Sequence, residues 1–193
     1  MARKSNSIKP PFKMTIGYST HWPKTMPSEY ASKPTYFVDK IWAGLISELE
    51  SINISDYEKF TIAYKNQFES EMSEYEGLLI DPKLHTMRED KTDRWKVGMK
   101  IHPVINNRTK NRFQFTPLLE VKAIQKIEII YSNEALCDWY GVEPVLKIDD
   151  RILSVEEMEV IAKNDGFESA HHFCHWFKKD FTGKIIHWTD LKY

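Results

Sequence analysis

Two apolar stripes at helical spacing stand one after the other early in the chain, and strand-like alternation is found only before and after them. The first stripe runs through Phe37, Val38, Ile41, Trp42, Leu45 and Leu49; the second runs through Tyr57, Phe60, Tyr64, Phe68, Met72 and Tyr75. Residues three and four apart share a helix face, so each stripe predicts a helix with one core-facing side. Thr35 is placed to cap the first helix, and Ser55 and Glu58 have capping-box spacing ahead of the second. Residues 13–19 alternate and predict a strand, whereas Pro23, Pro27 and Pro34 make 20–34 a loop. Further strands are predicted at about 97–105 and 112–131, joined by a hairpin connection at 106–111, with Pro117 marking a bulge or edge. Ser154 and Glu157 open a third helix through Val155, Met158, Ile161 and Ala162, and Gly166 is placed to end it. A helix over about 169–179 would bury Phe173, Trp176 and Phe177, and 184–189 forms a last strand after Gly183.

Helices in consecutive pairs do not alternate with strands. That order argues against a doubly wound parallel sheet and for an α+β fold, a mixed sheet or small barrel with helices at its ends. A chain of 193 residues, 41% of them apolar, suits one domain over 13–193. Residues 1–12 are polar, end near Pro10 and Pro11, and read as a flexible arm. The two cysteines, Cys137 and Cys174, make no disulfide framework and fit a reducing compartment. No run approaches the roughly 18 apolar residues of a membrane span. The expectation is a cytoplasmic protein with no membrane partner.

Net charge is −1, but the charges are segregated. Residues 1–40 carry seven Lys/Arg against two acids and 81–127 carry eleven against five, while 41–80 and 128–193 are acidic. Such segregation predicts a basic face, the footprint of a polyanion.

The densest chemistry lies at 83–90. On a strand Thr86 and Arg88 share one face and His85 and Met87 the other. Lys83 reaches Thr86 only if the chain turns between them, and Pro82 is consistent with a turn. A lysine beside a threonine hydroxyl serves as a general base once burial lowers its pKa. Arg88 offers a rigid donor fork to a phosphate or carbonyl.

The pattern Lys83-x-x-Thr86-x-Arg88-Glu89-Asp90, followed by Trp95-Lys96-x-Gly98, resembles the opening motif of the ASCH superfamily. Residues 162–169, with Phe173, Trp176 and Phe177, are similar to its helical segment, and 185–188 to its closing strand. The resemblance covers about 81–193 and the first strand and helix at 13–50; overall the chain also resembles proteins of phages and prophages of gut bacteria. It implies a PUA-like fold, a small mixed β-barrel flanked by helices. One branch removes the acetyl group from N4-acetylcytidine with a threonine nucleophile, a lysine activator and a glutamate proton carrier. Lys83 and Thr86 match that pattern, and Asp165 stands at the glutamate position, one methylene shorter. Residues 51–80 are then an inserted helix, able to cover the site or bind a partner. Other branches are thought to bind RNA or act as nucleases.

From Arg94 to Leu119 there is no acidic residue. Arg94, Lys96, Lys100, Arg108, Lys110 and Arg112 are candidate phosphate contacts. Phe113 and Phe115, two apart, face the core. His171 and His175 share a helix face, but no H-E-x-x-H pattern or second cluster completes a metal site, so neither a metal nor any other cofactor is expected. Three functions follow. The first is an RNA- or nucleobase-binding module whose cleft is lined by Lys83, Thr86, Arg88 and Asp165. The second is an amidohydrolase on N4-acetylcytidine-like nucleosides, with Lys83, Thr86 and Asp165 catalytic. The third is a phage interaction protein working through 51–80.

Overall fold

A computed structural model describes residues 12–73, 75, 79–131 and 144–193. The proposed arm at 1–12 therefore lies almost wholly outside the described residues, as does part of the 51–80 insertion. The fold is α+β, with nine strands and four helices among the described residues.

The strands form two sheets. In the first, β1 (Lys13–Tyr18) lies parallel to β3 (Lys100–Ile105), and β4 (Phe113–Gln114) and β5 (Leu119–Glu120) pair antiparallel with β3. The second is antiparallel throughout, in the order β2 (His85–Arg88), β9 (Phe181–His187), β6 (Ala123–Ile130), β7 (Val145–Ile148) and β8 (Arg151–Ile152). One stretch of chain belongs to both. Val121 N–H still donates to Met99 O, and the next residue, Lys122, donates to His187 O. Neither sheet closes on itself among the described residues. At the opposite side β1 and β2 are both edge strands, and Arg88 bridges them with a long hydrogen bond of 3.4 Å to Gly17 O.

The predicted strand at 112–131 is thus three strands. Pro117 has no N–H for a ladder, and Gln114 and Thr116 spend their side chains on the carbonyls of Thr116 and Pro117. The last strand starts earlier than Gly183, because Phe181 and Thr182 already pair with Ile129 and Glu128.

Helix α1 (Phe37–Glu48) buries Phe37, Val38, Ile41, Trp42 and Leu45, five of the six residues of its predicted stripe. Each large side chain so buried contributes about 1.5–3 kcal/mol. Thr35 acts at its start, one residue before the cap position: its Oγ1 accepts from Phe37 N–H at 3.3 Å and donates to Ser19 O at 2.7 Å. The second helix, α2 (Ile54–Phe68), is capped by Asn53 and Asp56 instead of Ser55 and Glu58. Its predicted stripe enters the core only in part: the helix ends at Phe68, and Met72 beyond it is the one stripe residue among those described that is fully buried. No residue of α2 itself is fully buried; Tyr57 and Phe60 lean on Trp42, and Tyr64 and Phe68 on Phe113.

Ser154 and Glu157 form the predicted capping box of α3 (Val155–Asn164). Its other end is a Schellman turn, with Phe167 N–H donating to Ala162 O and Gly166 N–H to Lys163 O around a Gly166 φ of 90°. Helix α4 (Ala170–Trp176) stops short of the predicted 179. Trp176 is 39% exposed there, not buried, and packs on Trp22. No described helix is long and apolar enough to cross a membrane.

Candidate functional site

Lys83 precedes β2, and two helices hold the backbone there. Its N–H donates to Lys40 O of α1, and Leu84 N–H donates to Asn164 O at the end of α3, both at 2.8 Å. Gly44 lets α1 come this close, since a Cβ there would stand 2.8 Å from Lys83 O. The side chain then runs under Gly166, where a Cβ would stand 3.2 Å from Lys83 Cδ. It ends against Asp165, the C-cap of α3: Lys83 Nζ donates to Asp165 Oδ1 at 2.5 Å and also to the Asp165 carbonyl. The ammonium therefore sits at the negative end of a helix dipole, with the Phe37 ring 4.9 Å away. Lys40 Nζ donates to Gly166 O at the same helix end.

Both partners are almost fully buried, Lys83 at 2% exposed and Asp165 at 5%. Burial opposes charge on each. It lowers the Lys83 amine to about 8, although Asp165 pulls the other way. Burial raises Asp165 too, but Lys83 and His85 outweigh it and hold the carboxyl below its ordinary value. At neutral pH the pair is ionised, and a modest rise in pH frees the amine.

Asp165 has a second neighbour that the sequence did not reveal. His85 Nδ1 lies 3.5 Å from Asp165 Oδ1, too long for a full hydrogen bond but within ion-pair range. Its other nitrogen, Nε2, is 2.7 Å from the Tyr193 hydroxyl, which also accepts from Asn164 Nδ2 at 2.9 Å. Burial keeps His85 neutral and pushes the Tyr193 phenol up, so the phenol keeps its proton. Asn164 can only donate to the phenol oxygen, which leaves the phenol proton for His85 Nε2. The neutral imidazole is then the Nδ1–H tautomer, with its proton towards Asp165. Gln125 clamps Tyr193 by its backbone N–H and C=O.

Thr86 and Arg88 share a face of β2 as the alternation predicted, and that face meets the end of β1. Thr86 is buried and Arg88 is half-buried. The Arg88 guanidinium lies over the Tyr18 ring, 5.5 Å from its centroid. Burial pushes the Tyr18 phenol up, while Arg88 and Thr86 beside it pull it down. Lys83, Asp165 and His85 thus form one buried cluster and Thr86, Arg88 and Tyr18 a second, near enough for Asp165 to act on the Tyr18 phenol and Arg88 on the Lys83 amine.

The basic residues divide into two groups. Arg94 faces Asp90 at 3.6 Å, Lys96 pairs with Asp93, and Lys100 pairs with Glu120 at 2.6 Å. Arg108, Lys110 and Arg112 are exposed around the β3–β4 turn, with no carboxylate of the described residues in ion-pair range. The root of that turn packs beside the site, because Asn107 Cβ would stand 3.0 Å from a Cβ on Gly17. Phe113 and Phe115 point into the core.

His171 and His175 do meet, Nε2 to Nε2 at 3.0 Å, whereas buried His172 stacks flat on Tyr30. Among the described residues no group of three or more His, Cys, Asp or Glu is placed to hold a metal ion. No family model, curated protein or solved structure matches the chain.

Proposed function

We propose that this chain is a PUA-like module that binds RNA or a modified nucleobase between the edges of β1 and β2, over Thr86. The observation that carries the reading is the buried Lys83–Asp165 pair, joined at 2.5 Å from opposite ends of the motif-bearing region. Placing both charges out of water is costly, and hydrophobic residues of similar size would serve stability as well. Tyr18, Thr86 and Arg88 add polar groups to the same point, suited to the edge of a base. Arg108, Lys110 and Arg112 stand beside it, where a nucleic-acid backbone leaving the cleft would run. The test is binding of short single-stranded RNA and of cytidine across a salt series. Binding that weakens with salt for RNA and is lost in Thr86→Tyr supports the reading; no binding of either ligand ends it.

One observation favours a second reading, an amidohydrolase on an N4-acylated cytidine. A Lys83 amine brought down to about 8 is free often enough near neutral pH to take a proton from Thr86. Thr86 Oγ would add to the acyl carbon as its proton passes to Lys83 Nζ. The C–N bond would then break, with that proton returned to the leaving amine, and water would release the acid from the threonyl ester. Asp165, though one methylene shorter than glutamate, is long enough to reach Lys83. Incubation with N4-acetylcytidine tests it: release of cytidine that Thr86→Ala abolishes supports catalysis, and its absence leaves the binding module.

A further inference from the structure

A cleft of about 320 Å³ lies where the start of α1, the chain after α2 and the end of β3 meet, and none of its lining residues belongs to the Lys83 or Thr86 clusters. Its volume is within the roughly 300–1,000 Å³ of small-molecule sites. Buried Phe37, Val38, Met72 and Ile105 give it an apolar lining, and Tyr36 and Tyr64 add two aromatic rings. Tyr36 is the unexpected residue. It is the N-cap of α1 at φ 53°, left-handed, and its side chain makes no cap hydrogen bond. Glycine or asparagine would hold that backbone at less cost, so what the tyrosine adds is its ring, which lines the cleft and meets Tyr75 in a T-shaped contact at 5.2 Å.

Charge changes sign across the cleft. Asp39 lines it from α1 and Glu71 from the chain after α2. Asp39 is already held, by Ser73 Oγ–H at 2.5 Å and by the Tyr57 side chain. The acceptor on this wall is therefore Glu71, whose Oε1 pairs with Lys65 at 2.5 Å and whose Oε2 makes no hydrogen bond among the described residues. Asn106 lines the opposite wall and opens the β3–β4 turn that carries Arg108, Lys110 and Arg112. A ligand matched to this cleft has a donor at one end, an anion at the other and a flat apolar body between them for the tyrosine rings. A nucleotide whose base bears an exocyclic amine has that make-up, since an amine donates to a carboxylate. A base with an oxo group there would set lone pairs against Glu71.

We propose that this cleft is a nucleotide site, with the base against Tyr36 and Tyr64, its exocyclic amine on Glu71 and its phosphate on the β3–β4 turn. The inference goes beyond the reading above, because it uses neither Lys83 nor Thr86 and holds whether or not a base lies over Thr86. A free nucleotide and a nucleotide within single-stranded RNA present the same groups to the cleft.

Adenosine 5′-monophosphate is the probe, titrated into the full chain by calorimetry. Inosine 5′-monophosphate, which has an oxo group in place of the amine, and adenosine, which lacks the phosphate, are the comparisons. Saturable binding of the adenylate is expected, about tenfold tighter than either comparison. Tyr36→Gly removes the ring and suits the left-handed backbone, so it is expected to keep the fold and weaken adenylate binding about tenfold. Glu71→Gln, at an exposed residue, is expected to fold as the parent does and to narrow the difference between adenylate and inosinate. No saturable adenylate binding, inosinate bound as tightly as adenylate, or full affinity in Tyr36→Gly overturns the proposal. Thr86→Tyr is expected to leave adenylate binding unchanged; loss there with none in Tyr36→Gly would place the nucleotide at Thr86 and overturn it too. A single-stranded adenylate tetramer bound more tightly than the monomer supports the site with a strand as its occupant, and the reverse order supports it with a free nucleotide.

Discussion

Lys83 and Asp165, 82 positions apart, meet in a buried hydrogen bond of 2.5 Å at the C-terminal end of α3. Removing either partner strands the other's charge. Lys83→Met or Asp165→Asn alone is expected to cost about 3–5 kcal/mol. The double variant is expected to cost less than the sum by about 1–3 kcal/mol. Urea unfolding of the four proteins closes the cycle; strict additivity would show that the two groups do not interact.

The pH dependence of the pair has a definite sign. The Lys83 amine titrates at about 8 in the folded chain against 10.5 ordinarily, so its buried charge destabilises the fold fully below 8. That penalty is relieved as pH rises from 8 towards 10.5. Asp165 acts in the other window: its lowered folded pKa adds stability above the ordinary 3.8, lost as pH falls through the folded value. NMR titration of lysine side chains is expected to show one amine near 8, absent in Lys83→Met. Any general-base activity should rise through the same pH. An amine at 10.5 would remove the basis for the second reading.

Much of this arrangement was legible locally and little of it at long range. Alternation along 85–88 was enough to place Thr86 and Arg88 on one face, and capping chemistry marked both ends of α3. Nothing in the spacing said that Asp165 returns to Lys83, because that contact depends on how closely Gly44 and Gly166 let the helices approach. Tyr18 and His85 carry no signal for the same reason: each lies on a strand whose alternation says only which face it takes. The β7–β8 hairpin carries a sequence signal of its own. Asp149 and Asp150, both at positive φ, form a two-residue loop between Ile148 and Arg151, a turn that acidic and amide side chains tolerate. The cap of α2 was misplaced by two residues because Asn53 and Asp56 have the same spacing as Ser55 and Glu58. Asn53 wins by accepting from Ser55 N–H at 2.9 Å while Asp56 accepts from Asn53 N–H at 3.2 Å.

Asn164, Tyr193 and His85 fix a proton that can be observed directly. Nitrogen NMR of the imidazoles is expected to show His85 as the Nδ1–H tautomer at pH 7. Tyr193→Phe removes the donor to Nε2 and should free His85 to exchange tautomers. If His85 is instead the Nε2–H form in the parent chain, its proton does not face Asp165 and the tautomer assignment fails.

Arg108, Lys110 and Arg112 give the charge argument its own test, separate from the buried cluster. Arg94, Lys96 and Lys100 already face Asp90, Asp93 and Glu120, so their replacement should change RNA affinity little. Among the described residues the three at the hairpin have no such neighbour. Each neutralised phosphate contributes about 0.7 to the slope of log affinity against log salt for single-stranded RNA. Changing all three to alanine is therefore expected to lower that slope by about 2 and weaken binding uniformly across sequences. Measuring the slope for this triple variant and for Lys96→Ala/Lys100→Ala separates the two groups. An unchanged slope in the hairpin variant, with a fall in the other, would place the backbone contact on the paired residues. The path of the nucleic acid would then lie away from the β1–β2 gap.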